Sequence, residues 1–100
     1  MNTGIEDLNS RTVRVLITGR VQGVAYRAWT ERTAMALGLQ GWVRNKRDGA
    51  VEALFSGPGA SVDDMLGRCR EGPPAARVSG VSIIEEGGAA PRTFEIRPTA

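Results

Sequence analysis

TVRVLITGRVQGVAYRAWTERTAMAL, residues 12–37, changes its period midway, and the change sets the start of the fold. Thr12–Thr18 alternates, with Val13, Val15 and Ile17 on one face, the period of a half-buried strand. From Ala25 to Leu37 the spacing is helical: Tyr26, Thr30, Ala34 and Leu37 fall on one side. Gly38 follows as a natural left-handed cap. Between strand and helix lies GRVQGV, residues 19–24, a short turn holding two glycines.

Downstream, Leu39–Asn45 and Ala50–Ser56 read as two further strands. They are joined by Lys46-Arg47-Asp48-Gly49, which ends in the Asp-Gly pair of tight hairpins. Gly57-Pro58-Gly59 breaks the third strand. Ser61 and Asp64 have the spacing of a capping box. Val62, Met65, Leu66 and Cys69 then line one face of a second helix, stopped by Gly72-Pro73-Pro74. Val78–Ile84 is a fourth strand and Thr93–Arg97 a short fifth. The order β-α-β-β-α-β predicts an α+β, ferredoxin-like sandwich: an antiparallel sheet, both helices on one face, and a short extra C-terminal strand. Residues 1–11 read as an N-terminal extension and 12–100 as a single domain.

Composition narrows the chemistry. With 100 residues, 41% apolar and 24% charged, the chain can build one core. Zero histidines remove the Ser-His-Asp triad, histidine metal sites and a histidine base, and one cysteine removes disulfides and multi-cysteine metal sites. Whatever chemistry occurs must run on carboxylates, Arg, Lys, amides, hydroxyls or bound water. The net charge of +2 hides a skew: residues 11–47 carry seven Arg and Lys46 against the single acid Glu31. That half attracts an anion. Residues 1–10 are polar with no apolar run, and no stretch is long enough to span a membrane; with one free thiol a cytoplasmic location is expected, and the chain is taken as a monomer.

Glycines in a strand-to-helix turn let backbone N–H groups converge, and the helix start adds its own unpaired donors. Arg27 lies beside that start, where its planar fork can grip two oxygens of the same anion. The alternative is that Gly19 and Gly23 serve the turn alone and Arg27 is solvated. Asn45 likewise reads either as a turn residue or, if its amide comes near the loop, as part of the same site. The Walker A and Rossmann patterns are both absent. Six residues after Cys69, where a cysteine phosphatase needs Arg, stands Ala75, so Cys69 reads as a small buried hydrophobe. Trp29 and Trp42 read as packing residues. Without an RNP pattern, a nucleic-acid partner is disfavoured. A nucleic-acid role is still the best alternative to an enzyme, and an anion-binding domain without turnover is another.

GRVQGVAYR at 19–27, LGLQGWVRN at 37–45 and DGAVEA at 48–53 together closely resemble the acylphosphatase family, with EGPPAARV at 71–78 and FEIR at 94–97 extending the likeness. Tyr26 stands where phenylalanine is usual. The resemblance implies a small metal-independent hydrolase with no metal site and no cofactor, whose substrate is an acyl phosphate and whose products are a carboxylate and inorganic phosphate. By motif match Arg27 would bind the phosphoryl group and Asn45 would hold the attacking water. Gly19, Arg20, Val21, Gln22, Gly23 and Val24 would form the substrate-binding loop.

Overall fold

The computed structural model describes residues 9–100. In chain order the elements are β1 (Ser10–Arg20), α1 (Tyr26–Ala36), β2 (Gln40–Asn45), β3 (Val51–Pro58), α2 (Gly59–Cys69), β4 (Arg77–Glu86) and β5 (Phe94–Ile96). The sheet order is β4-β1-β3-β2-β5. The first four strands pair antiparallel, which is the expected ferredoxin-like sandwich. β5 departs from that pattern by running parallel to β2, with Gly41 opposite Phe94 and Val43 opposite Ile96. β4 lies on the far edge and finishes at the end of the sheet where β2 starts, so a strand crossing back from it runs parallel to β2.

Most element ends lie one or two residues from the sequence reading, and two of the differences matter. Of the eleven residues read as an extension, 1–8 lie outside the described residues, while Ser10 and Arg11 belong to β1 and face Pro58 and Gly57 of β3. The capping box at Ser61 does not form. β3 runs on through Pro58 to pair with Ser10, and α2 starts at once at Gly59. Ser61 therefore sits inside the first turn, whereas a side-chain cap must come from the non-helical residue before it. Asp64 instead pairs with Arg68 one turn on, at 2.9 Å.

The core lies between the helices and one face of the sheet. Val13, Val15 and Ile17 of β1 are fully buried and register with Phe55, Ala53 and Val51 of β3. Tyr26, Thr30 and Ala34 of α1, with Val62, Met65, Leu66 and Cys69 of α2, cover them. Each large apolar side chain so buried contributes about 1.5–3 kcal/mol. The Cys69 thiol is pushed up to about 12, chiefly by burial, as suits a packing residue. The Tyr26 hydroxyl donates to the Cys69 carbonyl at 2.7 Å, tying the start of α1 to the end of α2.

The opposite face of the sheet is polar and built on one buried acid. Glu52 of β3 is 2% exposed and meets Arg14 of β1 at 2.6 Å and Arg44 of β2 at 2.7 Å. Burial alone would raise its carboxyl, but the hydrogen bonds from Arg44 and Arg14 outweigh that and hold it below the ordinary range. A carboxyl lowered in the fold stabilises above its unfolded value and loses that contribution as the pH falls through the folded one. Glu52→Gln is therefore expected to cost about 2–4 kcal/mol at pH 7 in urea denaturation. The gap to the parent should narrow as the pH falls below about 4.3. A gap that stays constant down to pH 3 would show that packing rather than charge sets the cost.

Candidate active site

β3 lies between β1 and β2 and aligns their ends. Val51 faces Ile17 on one side and Asn45 on the other. β1 and β2 run the same way, so the loop after β1 and the hairpin after β2 emerge together, roughly 9–10 Å apart at the backbone. Asn45 shares the face of Val43, which is the helix side of the sheet. This is the placement that sequence left open.

The start of α1 is shaped to present donors. Ala25 caps the helix with φ 65° and ψ 26°, a left-handed conformation followed directly by helical Tyr26. A left-handed residue before a right-handed one makes the successive N–H groups converge. The first helical hydrogen bond runs from Trp29 to the Ala25 carbonyl at 3.1 Å, so the N–H groups of Tyr26, Arg27 and Ala28 have no intrahelical acceptor. Gly23 has φ 74° with open space where a side chain would stand, so the turn itself requires it.

Arg27 and Asn45 line one cleft of about 250 Å³ with Val21, Gln22, Gly23, Ala25, Tyr26, Ala28 and Ile96. Among the described residues no carboxylate lines it. Among the described residues, neither the Arg27 nor the Asn45 side chain has a hydrogen-bond or ion-pair partner. The arginine-rich segment that looked uniformly anion-seeking in sequence is otherwise partly neutralised. Arg11 pairs with Asp63 and Glu86, Arg14 with Glu52 and Glu85, and Arg44 with Glu52. These acids come from later in the chain and arrive by sheet pairing and helix packing.

The rest of the loop divides. Val21, Gln22 and Gly23 reach the cleft, but Gly19, Arg20 and Val24 do not line it. Gly19 has φ 118° at a shift of register between β1 and β4, and a Cβ there would strike the Arg77 carbonyl. Its requirement for glycine is thus explained by strand packing. Arg20 is exposed opposite Arg77 at the end of β1. Val24 packs against the core. Gln22 donates its side-chain amide to the carbonyls of Lys46 and Ala50, both at 2.8 Å. Any contact it makes with an anion falls to its backbone.

Ile96, absent from the sequence reading of the site, adds an apolar wall and is 42% exposed. Its two-residue offset from buried Phe94 puts it on the core side, but only the parallel docking of β5 brings it to Asn45. Beyond β5, Arg97 donates to Val43 at 2.9 Å and Ala100 to the Asn45 carbonyl at 3.0 Å, holding the end of β2 from its outer side. Trp42 is covered on the polar face by the guanidinium groups of Arg44 and Arg97, at 4.8 and 5.2 Å, and is not a free stacking surface. Among the described residues no three His, Cys, Asp or Glu side chains gather as a ligand set, and no helix is long and apolar enough to cross a membrane.

The acylphosphatase family model matches residues 13–96. An acylphosphatase of Nitrobacter hamburgensis is 62% identical over 68 residues, 68% of this chain and 69% of that one. The solved acylphosphatase of Coxiella burnetii superposes with a TM-score of 0.87 at 34% identity, over 94% of this chain and 99% of that one. That of Bacillus subtilis gives 0.81 at 31% identity, over 87% and 98%. A match spanning almost every element from β1 to β5, joined to the same fold at this level of identity, has one meaning: the chain belongs to the acylphosphatase family, the hydrolases of acyl phosphates.

Proposed function

We propose that the cleft at the start of α1 is where the acyl phosphate is hydrolysed, without a metal, by a water held on Asn45. The supporting observation is that Arg27 and Asn45, from separate elements, line one cleft where, among the described residues, there is no carboxylate and neither side chain has a partner. The N–H groups of the loop and first helical turn, with the Arg27 fork, take the phosphoryl oxygens. Water attacks phosphorus in line and the bond from phosphorus to the acyl oxygen breaks. The carboxylate leaves without a proton, since its acid has a pKa of about 4–5. Phosphoryl transfer asks chiefly for positioning and charge stabilisation. The Asn45 amide oxygen accepts from the water and orients it, but is too weak a base to take the proton. The proton passes to a phosphoryl oxygen, and inorganic phosphate forms.

Asp48 is the nearest acid in sequence to Asn45, and its use elsewhere supports this route. Its carboxylate accepts from the Ala50 N–H at 3.0 Å, and it lines a separate cavity with Gly19 and Gly49. Hydrolysis of benzoyl phosphate by the parent protein should continue undiminished in EDTA, and Asp48→Asn should retain turnover within about threefold. Activity lost in EDTA and restored by a divalent cation would overturn the metal-free reading. A steep loss in folded Asp48→Asn would overturn the proton route. The same reading takes the chain as a monomeric, cytoplasmic enzyme with no nucleic-acid partner.

A further inference from the structure

We infer that Gln22 is a positioning residue for hydrolysis, acting through the placement of Asn45 and not by touching the substrate with its side chain. The inference rests on the cleft proposed above.

Both ladders that align the site stop at Val51, where Ile17 pairs from one side and Asn45 from the other. Past that rung the loop after β1 and the hairpin after β2 are no longer held by strand pairing. Among the described residues, the hydrogen bonds that join loop to hairpin there are the two from the Gln22 amide, to Lys46 and Ala50. These two carbonyls are the ends of the hairpin. The Ala50 carbonyl also accepts from the Lys46 N–H at 2.8 Å, and the Lys46 carbonyl from the Gly49 N–H at 3.1 Å. Each carbonyl thus accepts two hydrogen bonds, and Gln22 spends both amide hydrogens on them. Lys46 directly follows Asn45. The amide therefore sets the separation between the phosphate-holding turn and the residue that orients water. Small displacements there are costly, because a shift of about 1 Å in a positioned group can cost roughly 10²-fold in rate.

The test uses Gln22→Met, similar in length without donors, and Gln22→Asn, which keeps the amide but is one methylene short of spanning both carbonyls. On benzoyl phosphate both should lower kcat roughly 10- to 100-fold. The competitive inhibition constant of inorganic phosphate should change by less than about threefold, because the loop and α1 still form the anion site. In an Asn45→Ala background the same Gln22 changes should cost under about twofold more, since two residues acting through one water are not additive. An inhibition constant that rises in step with the rate loss would overturn the inference and put the side chain on the phosphoryl group. Unaltered kcat with a lowered melting temperature would also overturn it, leaving a purely structural strut. If Asn45→Ala itself keeps parental turnover, the reading of Asn45 fails, a result distinct from either outcome at Gln22.

Discussion

Arg27→Ala is expected to slow benzoyl phosphate hydrolysis by ~10³-fold or more while the protein stays folded. The size follows from what the side chain faces. Arg27 is half-buried at the first turn of α1, lines the cleft and has no protein partner among the described residues. Its charge therefore has no internal carboxylate to satisfy, in contrast to Arg14 and Arg44 around Glu52. Removing it breaks no ion pair, so stability should move by less than about 0.5 kcal/mol. Arg27→Lys is expected to recover little of the rate, because a point charge cannot reproduce two parallel donors on one phosphoryl group. Stopped-assay kinetics on folded variants, with circular dichroism as the control, read both effects. Near-parental turnover in Arg27→Lys would remove the fork from the mechanism and leave only a requirement for positive charge.

Asn45→Ala should produce a different signature. If the amide orients water and does not hold substrate, kcat falls by roughly 10²-fold or more and KM moves by no more than a few-fold. Asn45→Asp sharpens the test. A carboxylate there could act as a base, but it would also stand in an anion site and oppose the phosphoryl group. With the proton going to the substrate's own oxygen, the aspartate variant should stay slow, with KM raised. A kcat restored by aspartate, rising with pH through a carboxylate value, would show that the water needs a protein base.

How much of this was legible depended on whether a feature is local. The alternation of Val13, Val15 and Ile17, the helical run from Tyr26 and the Asp-Gly hairpin are set by neighbours a few residues away, and each lies where the pattern put it. The Ser61 cap failed because its formation depended on where β3 ended, which Ser10 decides from across the sheet. The charge skew misled in part for the same reason. Arg11 and Arg14 find Glu86 and Glu85 only once β4 docks on β1. Motif resemblance pointed to Arg27 and Asn45, but their meeting requires β3 as a spacer. Loop residues 19–24 share one motif, yet Gly19 answers to β4, Val24 to the core and the Gln22 side chain to the hairpin. A linear motif runs these roles together and does not separate the reasons.

The strand order has a consequence in time. Apart from the β2–β3 hairpin, every antiparallel pairing in this sheet joins segments far apart in the chain, as Val13 does with Phe55 and Glu86. Long loops must close before these contacts reward them, so the chain folds more slowly than a helical bundle of its length. Val51 must be seated between Ile17 and Asn45 before a phosphoryl group meets both its cradle and its water. On refolding, turnover should therefore return with the last cooperative phase, and a chain released partway has no partial activity to offer.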